Sequence, residues 1–120
     1  MTRSTSRSSK ITPRDYLGEF EQVVLLAVVH LEGEGYGMSA RAEIERRTGR
    51  SPSIGALYAT LERLEEKGLV RSRTGAPTAE RGGRAKRFFA VTASGMRALT
   101  RSRRLLDAMW DGISSAGDAG

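Results

Sequence analysis

Ten of the twenty basic side chains fall between Arg71 and Arg104, where Glu80 is the single acid, so this stretch carries net +9 in a chain of net +6. Charge packed in this way is the electrostatic footprint of a polyanion-binding surface. A solvated basic face fits the charge equally well. Within the stretch, Arg81, Gly82, Gly83, Arg84 and Lys86 form a set in which glycines permit backbone approach to a groove and arginines favour a narrow minor groove. The same glycines do not make a nucleotide-phosphate loop, because no Lys-Ser/Thr pair follows them at the required spacing. Upstream, a helical run starting at Ser53 turns Gly55, Ala56, Ala59, Thr60 and Arg63 outward, with Tyr58 at the boundary. Small residues at 55, 56 and 59 let such a helix approach a base edge closely, Ala56 or Ala59 meeting a thymine methyl. Tyr58 and Thr60 can donate to phosphate or base, and Arg63, further along, suits the DNA backbone. The competing description is a half-buried packing tyrosine on an ordinary solvated helix.

Other chemistries find little support. His30 is the only histidine and ends an apolar run, with no Ser/His/Asp set or metal-ligand spacing around it. Glu43 and Glu45, and Glu62, Glu65 and Glu66, lie near Arg46, Arg47, Arg63 and Lys67, where ion pairs within helices explain them. Catalytic residues, metal and cofactor are therefore not expected. The absence of cysteine excludes disulfides and thiolate catalysis and fits a reducing compartment. The longest apolar run, Val23 to Val29, is far short of the roughly 18 residues of a membrane-spanning helix. A cytoplasmic protein without a membrane partner is the expectation. At 120 residues the chain is one small domain, a size that often relies on a partner subunit.

The elements that must carry these residues follow from period and punctuation. Residues 1–12 and 114–120 are polar and small, and are expected to be a disordered basic arm and a disordered tail. Leu17 to Leu31 has helical spacing but is apolar nearly all round, so a helix buried on more than one side is expected before the breaks at Gly33, Gly35 and Gly37. Met38–Thr48 reads as a short helix with Ser39 as N-cap. A third helix begins after N-cap Ser53, with Ile54, Leu57, Leu61 and Leu64 facing the core, and stops at Lys67-Gly68. Leu69–Thr74 and Lys86–Thr92 alternate as two short strands joined by a projecting Gly- and Arg-rich loop over residues 75–86. Thr92 caps a final helix, about 93–113, on which Leu99, Leu106 and Ile113 recur every seven residues with Met109 and Trp110 between them. Arg97, Arg101 and Arg104 form a stripe there that either flanks DNA or keeps the helix soluble. The fold class is mainly α with a small β-hairpin: a winged helix-turn-helix over 13–92 plus a C-terminal dimerisation helix.

The segments LGEFEQVVLLAVVHL, Tyr36-Gly37, SIGALYATLERLEEKGLV and ERGGRAKRFFAVTASG, taken in order, resemble the PadR-like transcriptional regulators, the phenolic acid decarboxylase regulator family. The resemblance covers about Leu17 to Leu99. It implies a homodimeric winged-helix repressor whose third helix enters the major groove of double-stranded DNA and whose last helix forms the dimer interface. It also implies, for some members, a small aromatic or cationic effector held in an apolar pocket between subunits. Phe20, Leu99, Leu106, Met109, Trp110 and Ile113 are the residues expected at that interface or pocket. Ile54 departs from the family pattern, where proline is common. A winged helix used for protein interaction is the alternative, and an RNA reader ranks last because Phe88 and Phe89 point to opposite strand faces.

Overall fold

The computed structural model describes residues 16–75 and 85–113. The basic arm, the tail and the loop with Arg81, Gly82, Gly83 and Arg84 lie outside the described residues. The element order is α1 (Glu19–His30), α2 (Gly37–Thr48), α3 (Ile54–Glu66), β1 (Val70–Thr74), β2 (Arg87–Val91) and α4 (Ala93–Trp110). The strands pair antiparallel with Val70 opposite Val91 and Thr74 opposite Arg87, and Gly35 adds a single bridge to Phe89.

The apolar helix α1 is the hub. Val24, Leu25, Ala27 and Val28 are buried, and α2, α3, β2 and α4 all pack on it. Burial on several sides is what an all-round apolar sequence needs, since apolar area removed from water is the main driving term. Leu57, Leu61 and Leu64 of α3, Ile44 and Ala40 of α2, and Phe89 of β2 complete one core. Alternation in β2 puts Phe89 in that core and Phe88 on the opposite face.

Local chemistry sets the ends. Ser53 Oγ accepts from the Ala56 amide at 3.1 Å and caps α3, and Thr92 Oγ1 accepts from the Gly95 amide at 3.0 Å and caps α4. Helix α3 closes in a Schellman motif: Gly68 has φ 78°, its amide donates to Glu65 O, and the Leu69 amide donates to Leu64 O.

Several expectations are corrected. Ser39 is not the N-cap of α2; Tyr36 holds that place, and Ser39 in the first turn reaches back, accepting from the Tyr36 amide at 2.9 Å. Ile54 does not face the core but is 36% exposed, because it is the first residue of α3 and projects off the helix end. Thr60 does not face outward; it is 2% exposed, one residue before Leu61 on the buried side of α3. Ile113 lies beyond α4, which ends at Trp110 before Gly112 adopts φ 84°. Glu62 and Glu65 do not serve ion pairs within α3: both meet Arg87 of β2, and Glu65 also accepts from Ser72 Oγ at 2.8 Å.

The pairing expected within α2 is present for Glu43 but not for Glu45, which accepts from Ser51 Oγ instead. Glu43, buried, meets Arg46 at 2.7 Å and Arg47 at 2.5 Å, and hydrogen bonds from Arg47 and then Arg46 hold its carboxyl down to about 2. A carboxyl depressed in the folded state stabilises the fold above its unfolded value of 4.5, and that contribution is lost as pH falls towards 2. Thermal melts from about pH 5 downward should therefore decline more steeply for the native protein than for Glu43→Gln. Parallel declines would show that the pair contributes nothing to acid stability.

Candidate nucleic-acid interface

Three elements meet around one exposed face. Helix α3 presents Gly55, Ala56 and Ala59 to solvent beside the capped start at Ser53. The amides of Ile54 and Gly55 have no helical carbonyl within reach at that start, and they leave an electropositive helix end there. Tyr58 is half-buried and lies across the start of α2: a Cβ built on Gly37 would stand 2.2 Å from the Tyr58 hydroxyl. A side chain at 37 would displace the ring from this place, and its seat on Gly37 brings α3 against the first turn of α2. The turn between the two helices is held by Arg41, whose Nε donates to the Pro52 carbonyl at 2.6 Å.

The hairpin root joins the same region. Lys86 Nζ sits 4.3 Å from the Tyr36 ring centroid, Tyr36 and Phe88 pack edge-to-face at 5.8 Å, and the Arg73 guanidinium covers Phe88 at 4.6 Å. Such cation–π contacts fix the direction of two basic side chains without neutralising them. Arg73 also meets Glu34 at 3.5 Å, whereas Lys86 is exposed. Tyr36, Phe88 and, from within the basic stretch, Arg73 join Lys86 at this surface, whereas residue type and spacing alone single out only Lys86. The available signal was the alternation of β2, which puts Phe88 opposite Arg73 on the outer strand face.

Arg63 is at the other end of α3. Its Nε lies 3.3 Å from Glu21 of α1, and Lys67 Nζ lies 3.0 Å from the same carboxylate. Burial pushes the Glu21 carboxyl up, but the hydrogen bond from the Gly18 amide and the nearby Lys67 and Arg63 outweigh it and hold it below the ordinary value. Neither Glu21 nor its reach across to α3 was expected from sequence.

The residues expected at a dimer interface or pocket do not all converge. Leu99, Leu106 and Trp110 of α4 line an open groove of about 530 Å³ with Gln22 and Leu26 of α1 and Met96. Leu99 is buried at its floor within the protomer, while Leu106, Met109 and Trp110 are exposed, Trp110 at 57%. Phe20 does not join them: it packs against the core under Arg50, 5.8 Å from its guanidinium. Among the described residues no group of three or more His, Cys, Asp or Glu could hold a metal ion, and no helix is long and apolar enough to cross a membrane.

Three stacked helices with a turn before the capped α3, followed at once by an antiparallel hairpin, define a winged helix-turn-helix protein. A profile of the Transcriptional regulator PadR-like family matches residues 25–101. Transcriptional regulator Rv3488 of Mycobacterium tuberculosis is 37% identical over 92 residues, spanning 74% of this chain and 81% of that protein. The chain belongs to the PadR-like family of transcriptional regulators, which makes it a regulator and not an enzyme. The PadR family transcriptional regulator from Eggerthella lenta DSM 2243 has a similar structure, with TM-score 0.61 and 23% identity over 79% of this chain and 82% of that one. F93 from STIV, a winged-helix DNA-binding protein, aligns with TM-score 0.64 and 16% identity over 82% and 99% of the respective chains.

Proposed function

We propose that the protein is a homodimeric, ligand-responsive repressor that binds a pseudo-palindromic operator and acts in the cytoplasm. The observation that carries this reading is the exposed small-residue face of α3, Gly55, Ala56 and Ala59, beside a hairpin root that bears Lys86. Two copies related by a two-fold axis place their α3 helices in successive major grooves, roughly 34 Å apart. Ser53, Gly55, Ala56, Tyr58 and Ala59 approach the groove and its phosphates. Lys86 and, from the sequence, Arg81, Gly82, Gly83 and Arg84 engage the neighbouring minor groove as a wing. Leu106, Met109 and Trp110 supply the apolar surface that a second copy covers, since exposed apolar groups grouped on one helix are characteristic of an interface. The groove between α1 and α4 is the place for a small aromatic or cationic effector that prefers a dimer with the reading helices at the wrong separation.

Binding to duplex DNA from immediately upstream of its own gene, against a scrambled duplex and across a salt series, tests the reading. Preferential binding to the upstream duplex is expected, with the slope of log K against log salt steeper by about 0.9 for each phosphate contacted. Absence of binding to both duplexes at low salt would overturn it and favour a winged helix used for protein interaction.

A further inference from the structure

The carboxylate of Glu21 is the meeting point of three donors from two elements. The Gly18 amide reaches Oε1 at 2.9 Å, Lys67 Nζ reaches Oε2 at 3.0 Å and Oε1 at 3.3 Å, and Arg63 Nε reaches Oε2 at 3.3 Å. Both the Glu21 and the Lys67 side chains are largely buried, at 11% and 17% exposure. Arg63 and Lys67 stand at the last turn and the C-cap of α3, while Glu21 belongs to the first turn of α1. The leucine contacts of α3 are apolar and non-directional, so they set its depth against α1 more firmly than its rotation. A shared carboxylate adds direction, because charge-assisted hydrogen bonds restrict geometry as well as distance. Arg63 is tied twice, as its other nitrogen donates to Thr60 Oγ1 at 3.3 Å.

We propose that Glu21 is a positioning residue of the reading helix: by gripping Lys67 and Arg63 it holds the orientation of α3 on α1, as Arg87 and Ser72 hold Glu65 on the hairpin side, and it withholds Arg63 from DNA phosphate. The inference rests on the DNA-binding reading above. It separates two duties of basic residues on one helix, Arg63 serving orientation while the wing and the helix start meet the polyanion.

The test is a salt titration of native protein, Glu21→Gln, Arg63→Ala and the double variant, on the upstream duplex and on a scrambled duplex, with the fold of each checked by circular dichroism. In Glu21→Gln the freed Arg63 reaches phosphate, so the slope of log K against log salt should steepen by about 0.9. The preference for the upstream duplex should fall at least about fivefold, as the loss of orientation costs base contacts more than phosphate contacts. Arg63→Ala alone should leave the slope unchanged, and in the double variant it should cancel the added slope. A residue that serves stability alone would not move the slope. An unchanged slope in Glu21→Gln overturns the proposal, and so does a slope flattened by about 0.9 in Arg63→Ala, which would put Arg63 on phosphate already. If Glu21→Gln fails to fold, the Arg63→Ala titration decides alone. Failure of the native protein to bind either duplex would instead end the DNA-binding reading itself.

Discussion

Ala56→Glu is expected to abolish specific DNA binding, at a loss of about 3 kcal/mol or roughly 100-fold in affinity, while leaving the fold intact. Ala56 is exposed on the first turn of α3, so a longer side chain there meets nothing in the protein. An acidic residue in the first turn complements the helix dipole, which removes a folding explanation for lost binding. At a surface set against phosphates, the same carboxylate is repelled and also blocks the close approach that alanine allows. Ala56→Lys separates the two effects. It should lose preference for the upstream duplex through bulk, yet keep or gain affinity for scrambled duplex with a steeper salt dependence. Both variants would be measured by fluorescence anisotropy on the two duplexes across a salt series, with affinities compared at matched salt, and by thermal melts. Native-like affinity in Ala56→Glu would remove α3 from the interface and with it the main support for the proposed function.

How much of this was legible in the sequence depended on the range of the interaction. The caps at Ser53 and Thr92, the stop at Gly68 and the parity of Phe88 and Phe89 are local events, and side-chain type and spacing suffice to place each. The burial of Thr60 is not legible in the sequence, because a threonine between apolar residues carries no period of its own. Its neighbours Leu57, Leu61 and Leu64 define a stripe wide enough to include it, and burial of its hydroxyl is tolerated beside the Arg63 donor. Ser39 illustrates another limit. A serine near a helix start can cap it or reach back from the first turn, and only the backbone path of Tyr36 distinguishes the two. Glu21 and Glu65 were beyond reach because their partners are distant in sequence: Glu21 pairs with Lys67 of the turn after α3, and Glu65 with Arg87 of the hairpin. Within a single helix the Glu43 pairs at three and four residues' distance were readable, since helical geometry alone brings them together.

Gly95→Ala is expected to destabilise the protein by about 2 kcal/mol, against the direction that helix propensity gives. Gly95 lies in the first turn of α4, where alanine is normally the better helix former by roughly 1 kcal/mol. A Cβ built there would stand 2.3 Å from the Leu69 carbonyl oxygen and 2.7 Å from Val91 Cγ1. The oxygen cannot simply move aside, because it accepts from the Thr92 amide at 3.0 Å, and Thr92 Oγ1 in turn donates to Gly68 O at 2.7 Å. Alanine must therefore lift the start of α4 off the hairpin, which loosens Ala98 and Leu99 from the core and shifts the wall of the groove that α4 shares with α1. For a domain of this size the loss corresponds to a fall in Tm of roughly 10 °C, measured at matched protein concentration because subunit association also raises Tm. Gly55→Ala supplies the contrast: nothing lies within 4 Å of a Cβ at that exposed helical position, so the same substitution there should raise stability by about 0.5 kcal/mol. Opposite signs at positions 95 and 55 would tie the effect to the backbone of Leu69, whereas a Gly95→Ala protein melting at or above the native temperature would show that α4 does not dock on the hairpin as closely as described.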